Sequence, residues 1–134
     1  MKVIGIAFSD LHLGEYSKFN EDNKRTLNHI RVLYLIKDLC IKYKCPAFFC
    51  GDFMHRPEFI STSLDEIIIE QFEELNRCEE FNIYGISGNH DLQKSNTIER
   101  RSSSHWANLC RRYSFLHNID FSYHDFGKFR VVGI

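Results

Sequence analysis

Three short apolar runs, rich in β-branched and aromatic residues, each end in a polar motif. Val3-Ile4-Gly5-Ile6-Ala7-Phe8 leads into Asp10-Leu11-His12, and Ala47-Phe48-Phe49-Cys50 leads into Gly51-Asp52. Ile83-Tyr84-Gly85-Ile86 leads into Gly88-Asn89-His90-Asp91. Runs this short, bounded by turn residues, read as buried strands. Longer segments with helical periodicity separate them, and strands that alternate with helices imply parallel pairing through right-handed crossovers. In open α/β sheets, ligands bind in the crevice beyond the carboxyl ends of the strands. Such a sheet brings the carboxylates of Asp10 and Asp52, the imidazoles of His12 and His90 and the amide of Asn89 to one crevice. That donor set suits a metal ion.

The element order read from the pattern is strand 2–8, helix 23–43, strand 47–50, helix 63–76, strand 82–86 and helix 102–112, then short strands near 119–123 and 129–134. In the first helix Val32, Leu35, Ile36, Leu39 and Tyr43 fall on one face, opposite Arg31, Asp38 and Lys42. In the second, Ser63-Leu64-Asp65-Glu66 has the form of a capping box. Leu64, Ile68, Phe72 and Leu75 line its buried face, with Glu66, Glu70, Glu73 and Glu74 on the wet side. Gly127, between two apolar runs, reads as the turn of a closing hairpin. The expected class is therefore α/β, mostly parallel with a C-terminal hairpin.

At 134 residues the chain is one domain or part of one. No apolar stretch is long enough to span a bilayer, and no signal-peptide pattern follows Met1. The net charge of −1 favours no partner, but its distribution is uneven. Residues 1–93 carry 10 basic and 15 acidic side chains, whereas residues 94–134 carry 7 and 3. Arg100, Arg101, Arg111 and Arg112 dominate the later part, which either contacts phosphates or forms a solvated helix face. The five cysteines include no C-x-x-C pair. They read as reduced thiols in a cytosolic compartment, with Cys50 inside a core strand.

Taken alone, each polar motif has a bland explanation. An aspartate is common in turns, Gly51 can serve only to make one, and Asn89 tolerates left-handed geometry. Taken together and in this order, each behind its own strand, the motifs point to a metal centre. Side chains alternate along an extended segment, so Asp10 and His12 should share one side of the sheet. His90 offers a proton donor, and Asp91 can orient its ring. His105, His117 and His124 lack ligand spacing and read as surface or packing histidines.

These motifs resemble the signature of the calcineurin-like metallophosphoesterases: Asp-x-His, then Gly-Asp, then Gly-Asn-His-Asp or Gly-Asn-His-Glu. The resemblance covers essentially the whole chain. It implies the N-terminal half of a four-layer α-β-β-α sandwich, spanning residues 1–134. It also implies that Asp10 and His12 bind one metal, Asp52 bridges two and Asn89 binds the second, with His90 and Asp91 as the catalytic pair. Two divalent ions would hold a hydroxide and clamp the phosphate. Oxygen and imidazole donors suit manganese first, with iron, magnesium or zinc as further candidates. The family's later histidine ligands have no counterpart here, and four protein ligands are too few for two cations. The chain also stops at Val131-Val132-Gly133-Ile134, inside an apparent strand, and so reads as the N-terminal portion of a longer protein, inactive alone.

Within the family the chain is most similar to the nuclease subunits of double-strand-break repair complexes, the SbcD type and its phage counterparts. The segments Phe8 to Gly14, Gly51 to Pro57 and Leu92 to Asn96 carry that similarity. It implies DNA as substrate, with His55 and Arg56 facing it, and an SMC-like coiled-coil ATPase as partner. It is compatible with a homodimer, and it places the protein in the cytoplasm (a host's, if viral). Arg56 keeps a phosphomonoesterase open as an alternative, because an arginine beside metals clamps a terminal phosphate. A small-molecule phosphodiesterase of the same fold also stays open, as does a non-catalytic scaffold built on it.

Overall fold

A computed structural model describes residues 2–14, 24–55, 61–91 and 104–134. Its elements are β1 (Ile6–Phe8), α1 (Lys24–Tyr43), β2 (Ala47–Phe49), α2 (Thr62–Asn76), β3 (Ile83–Gly85), a 3₁₀ turn (Asn89–Asp91), α3 (His105–Arg112), β4 (Leu116–Asn118), β5 (Tyr123–Asp125) and β6 (Arg130–Val132). Strands β1 to β4 form one parallel sheet in sequential order, and β5 and β6 form an antiparallel hairpin. The fourth parallel strand, at 116–118, precedes the segment expected to be extended. The sequence pattern assigns everything beyond 119 to the hairpin and misses β4, whose Leu-His-Asn composition carries little strand signal.

The register sorts side chains onto two faces. Ala47, Ile83 and Leu116 stand level across β2, β3 and β4, and so do Phe48, Tyr84 and His117. The first row joins one buried cluster with Ile30, Leu33, Leu64, Phe72 and Trp106 from the helices. The second row meets the hairpin: Phe48 lies 5.7 Å from Phe126, and Tyr84 stacks on His117 at 4.5 Å and touches His124 at 4.3 Å. The sheet thus lies between a helical layer and a β layer, as the N-terminal half of a metallophosphoesterase sandwich requires. His117 and His124 serve this packing.

α2 follows the sequence closely, burying Leu64, Ile68, Phe72 and Leu75. Its cap lies two residues earlier than the capping-box form suggests: Ser61 accepts from the Leu64 amide at 3.2 Å. α1 differs more. Its buried stripe is Thr26, Ile30, Leu33, Ile36 and Cys40, whereas Val32, Leu35 and Tyr43 are exposed. The helix is apolar over two adjoining arcs, and periodicity alone cannot choose between them. Thr26 decides the matter, donating from full burial to the Gly14 carbonyl at 2.9 Å. Cys50 is also exposed, because β2 ends one residue before it. Among the described residues no helix is long and apolar enough to cross a membrane.

Trp106 is fully buried against Phe49 and Phe53, and its indole N–H donates to the Gly85 carbonyl at 3.1 Å. Trp106→Ala should therefore cost about 4 kcal/mol in denaturant unfolding. Burial, helped by His124, lowers the His117 pKa from its ordinary 6.5. The folded state then disfavours the proton, so stability attached to His117 is complete above 6.5 and lost as pH falls through the lowered value. His117→Gln should flatten the decline in unfolding free energy below pH 6.5, read by denaturant titration across pH.

Candidate metal centre

Beyond the carboxyl ends of β1 and β2 the two chains keep pairing. The amides of Asp10, His12 and Leu13 donate to the carbonyls of Gly51, Asp52 and Phe53, and the His55 amide returns to Leu13. Leu11 and Leu13 are buried and anchor this loop, leaving Asp10 and His12 toward the cleft. The loop is not extended, contrary to the alternation argument: φ is 56° at Asp10 and 46° at His12. Left-handed backbone at non-glycine residues is uncommon and clusters at functional sites. Asp52 shares it, at φ 63°. These turns, not strand alternation, bring the donors together.

The third loop presses onto the second backbone to backbone. Gly51, at φ 106°, would place a Cβ 2.9 Å from the Gly88 Cα, and a Cβ on Gly88 would collide with Asp52. Only glycine permits that approach. The His90 amide then donates to Asp52 Oδ1 at 2.8 Å. Asn89 lies exposed between Gly88 and His90, in the same loop that grips Asp52.

One ligand atom from each of Asp10, His12 and Asp52 falls within 4.8 Å of the others, and the same holds for His12, His55 and His90. His12 Nε2 lies 3.5 Å from Asp10 Oδ1, and Ser9 hydrogen-bonds the other oxygen of Asp10. Carboxylate and imidazole donors at this spacing fit a hard or borderline divalent cation. The second cluster, with His12 and His90 ring centroids 4.8 Å apart, is not legible as a group in the sequence. His90 Nδ1 lies 3.2 Å from the His55 carbonyl, which can only accept, so the neutral ring carries its proton on Nδ1 and leaves Nε2 as an acceptor.

Asp91 has a different task from the one expected. It is 1% exposed, and its carboxylate accepts from the amides of Asp52, Phe53, Met54 and Gly88 at 2.9–3.2 Å. Its oxygens are engaged by the two loops, whereas the His90 ring turns to the His55 carbonyl. Burial pushes its pKa above the ordinary carboxylate range, and the amides partly oppose this. Arg56, Arg100 and Arg101 lie outside the described residues.

A cleft of about 360 Å³ opens here, lined by Asp10, His12, His55 and His90 and also by Arg25 and His29 of α1. Sequence reasoning misses the last two. Their i, i+4 spacing early in the helix that follows Asp-x-His is the available signal.

The model of the calcineurin-like phosphoesterase family matches residues 6–132. The chain belongs to that family. Among solved structures, a nuclease MPE from Pseudomonas putida matches with a TM-score of 0.52 at 14% identity, over 92% of this chain and 50% of the nuclease. The chain thus spans half the length of that protein, and the likeness extends to fold. A search of curated proteins gave no significant match. Members of the family are metal-dependent phosphoester hydrolases, and the Asp10, His12 and Asp52 cluster is a candidate donor set for such a metal.

Asp91→Asn leaves one acceptor oxygen for four amides and turns an NH₂ toward some of them. It should destabilise the fold by about 3 kcal/mol, checked by urea unfolding at neutral pH.

Proposed function

We propose that the chain is the N-terminal part of a two-metal phosphodiesterase that cleaves DNA. The observation that carries this reading is the meeting of Asp10, His12 and Asp52 within reach of one cation, with His90 tied to Asp52 through its backbone. Asp10, His12 and Asp52 would hold the metals, with Asp52 shared between them and Asn89 serving the second, and manganese is the first choice for both. The metals supply charge neutralisation at phosphorus and an activated water. With Nδ1 donating to the His55 carbonyl, His90 presents Nε2 to the cleft and, as the imidazolium, would donate from it to the leaving oxygen. His55, beside His90 with ring centroids 6.1 Å apart, faces the strand being cut.

The motif similarity to SbcD-type nucleases supports a role at DNA ends, beside an SMC-like coiled-coil ATPase. The solved nuclease neighbour supports the fold this requires. A phosphomonoesterase is the second reading, favoured by the guanidinium of Arg25 in the cleft.

In the intact protein His90→Asn should lower DNA cleavage by about a hundredfold or more and leave manganese bound in calorimetric titration. Undiminished cutting by this variant would reject the role of His90. Asp52→Ala should remove stoichiometric manganese binding itself, and retained binding would reject the metal centre.

A further inference from the structure

One wall of the cleft belongs to neither candidate ligand cluster found among the described residues. It comes from α1, where Arg25 and His29 stand one turn apart and line the cleft with the candidate ligands. Side chains at i and i+4 share a helix face. Two bonds fix that turn: the buried Thr26 hydroxyl donates to the Gly14 carbonyl at 2.9 Å, and the His29 ring hydrogen-bonds the His12 backbone. Both run to the loop that carries Asp10 and His12, so the turn is held in register with the metal donors. Arg25 is exposed, and His29 is half-buried.

A guanidinium stays charged and presents a planar fork of donors that matches phosphate oxygens. The metals neutralise the phosphate they hold, so a cation on a separate wall answers a second negative group. At about 360 Å³, the cleft falls in the size range of whole-ligand pockets rather than of a single anion. In a nucleic-acid strand the second group is the neighbouring phosphate.

We propose that Arg25 holds the phosphate next to the scissile one on a nucleic-acid strand, with Thr26 and His29 anchoring the helix turn that presents it. The scissile position rests on the phosphodiesterase reading; the contact itself is read by binding.

The test is fluorescence anisotropy with a labelled single-stranded oligonucleotide and the intact, manganese-loaded protein, all in a His90→Asn background so that the strand stays whole. Arg25→Ala should weaken binding roughly tenfold and lower the salt slope by about 0.7. Arg25→Lys should fall between, keeping the charge and losing the fork. Arg31→Ala, on the same helix and bonded to Asn28, should change binding less than twofold. An unchanged Arg25→Ala overturns the proposal. So does an equal loss in Arg31→Ala, which would mean unspecific attraction, or a loss confined to 5′-phosphorylated strands, which would mean a terminal-phosphate clamp. Failure of the hydrolase reading shows separately: the wild type with manganese would then cleave neither this strand nor a small aryl phosphodiester.

Discussion

A single buried carboxylate gathers the ends of two strands. Asp91 leaves the β3 loop, enters the interior and takes the amides of Asp52, Phe53 and Met54 from the β2 loop together with its own Gly88. Those amides point inward past the end of the sheet, where no strand remains to accept them. Left alone, each buried donor would cost about 1–3 kcal/mol. A charged acceptor satisfies all four at once. That gain offsets the left-handed backbone of Asp10, His12 and Asp52, which costs about 1 kcal/mol or more at each. The strain is tolerable because the network over-determines the loops, and its product is a set of donors aimed at one point.

Each face of the sheet has its own occupant, and the carboxyl ends are left to chemistry. Phe49, Ile83, Phe72 and Trp106 fill the helical side. Phe48, Tyr84, His117, His124 and Phe126 fill the side toward the hairpin, with rings 4.3–5.7 Å apart. The crevice at the strand ends is where the polar side chains of the motifs converge. α1 takes part in both layers of this arrangement: its middle packs on the sheet, and its first turns reach over the crevice.

Much of this is legible in residue order. The strand–motif pairs locate the loops, the apolar spacing of α2 identifies its buried face, and one side-chain atom each of Asp10, His12 and Asp52 comes within 4.8 Å of the others. Several features are not legible. The buried face of α1 turns on Thr26, a polar residue that apolar periodicity passes over. The cap of α2 turns on Ser61, because Ser63 offers an equally good local pattern. Cys50 looks internal because it continues an apolar run, yet the strand ends before it. Arg25 and His29 are separated from Asp10 by a long connection, and nothing local links them.

The chain alone determined which chemical groups would gather, because short strands followed by polar turns deliver their side chains to the same end of a parallel sheet. Only the tertiary structure decided how they point and what holds them. Left-handed turns, glycine contacts between neighbouring loops and a carboxylate sealed among amides arise from segments about 40 residues apart. Local sequence carries no record of which distant amide a buried oxygen will meet.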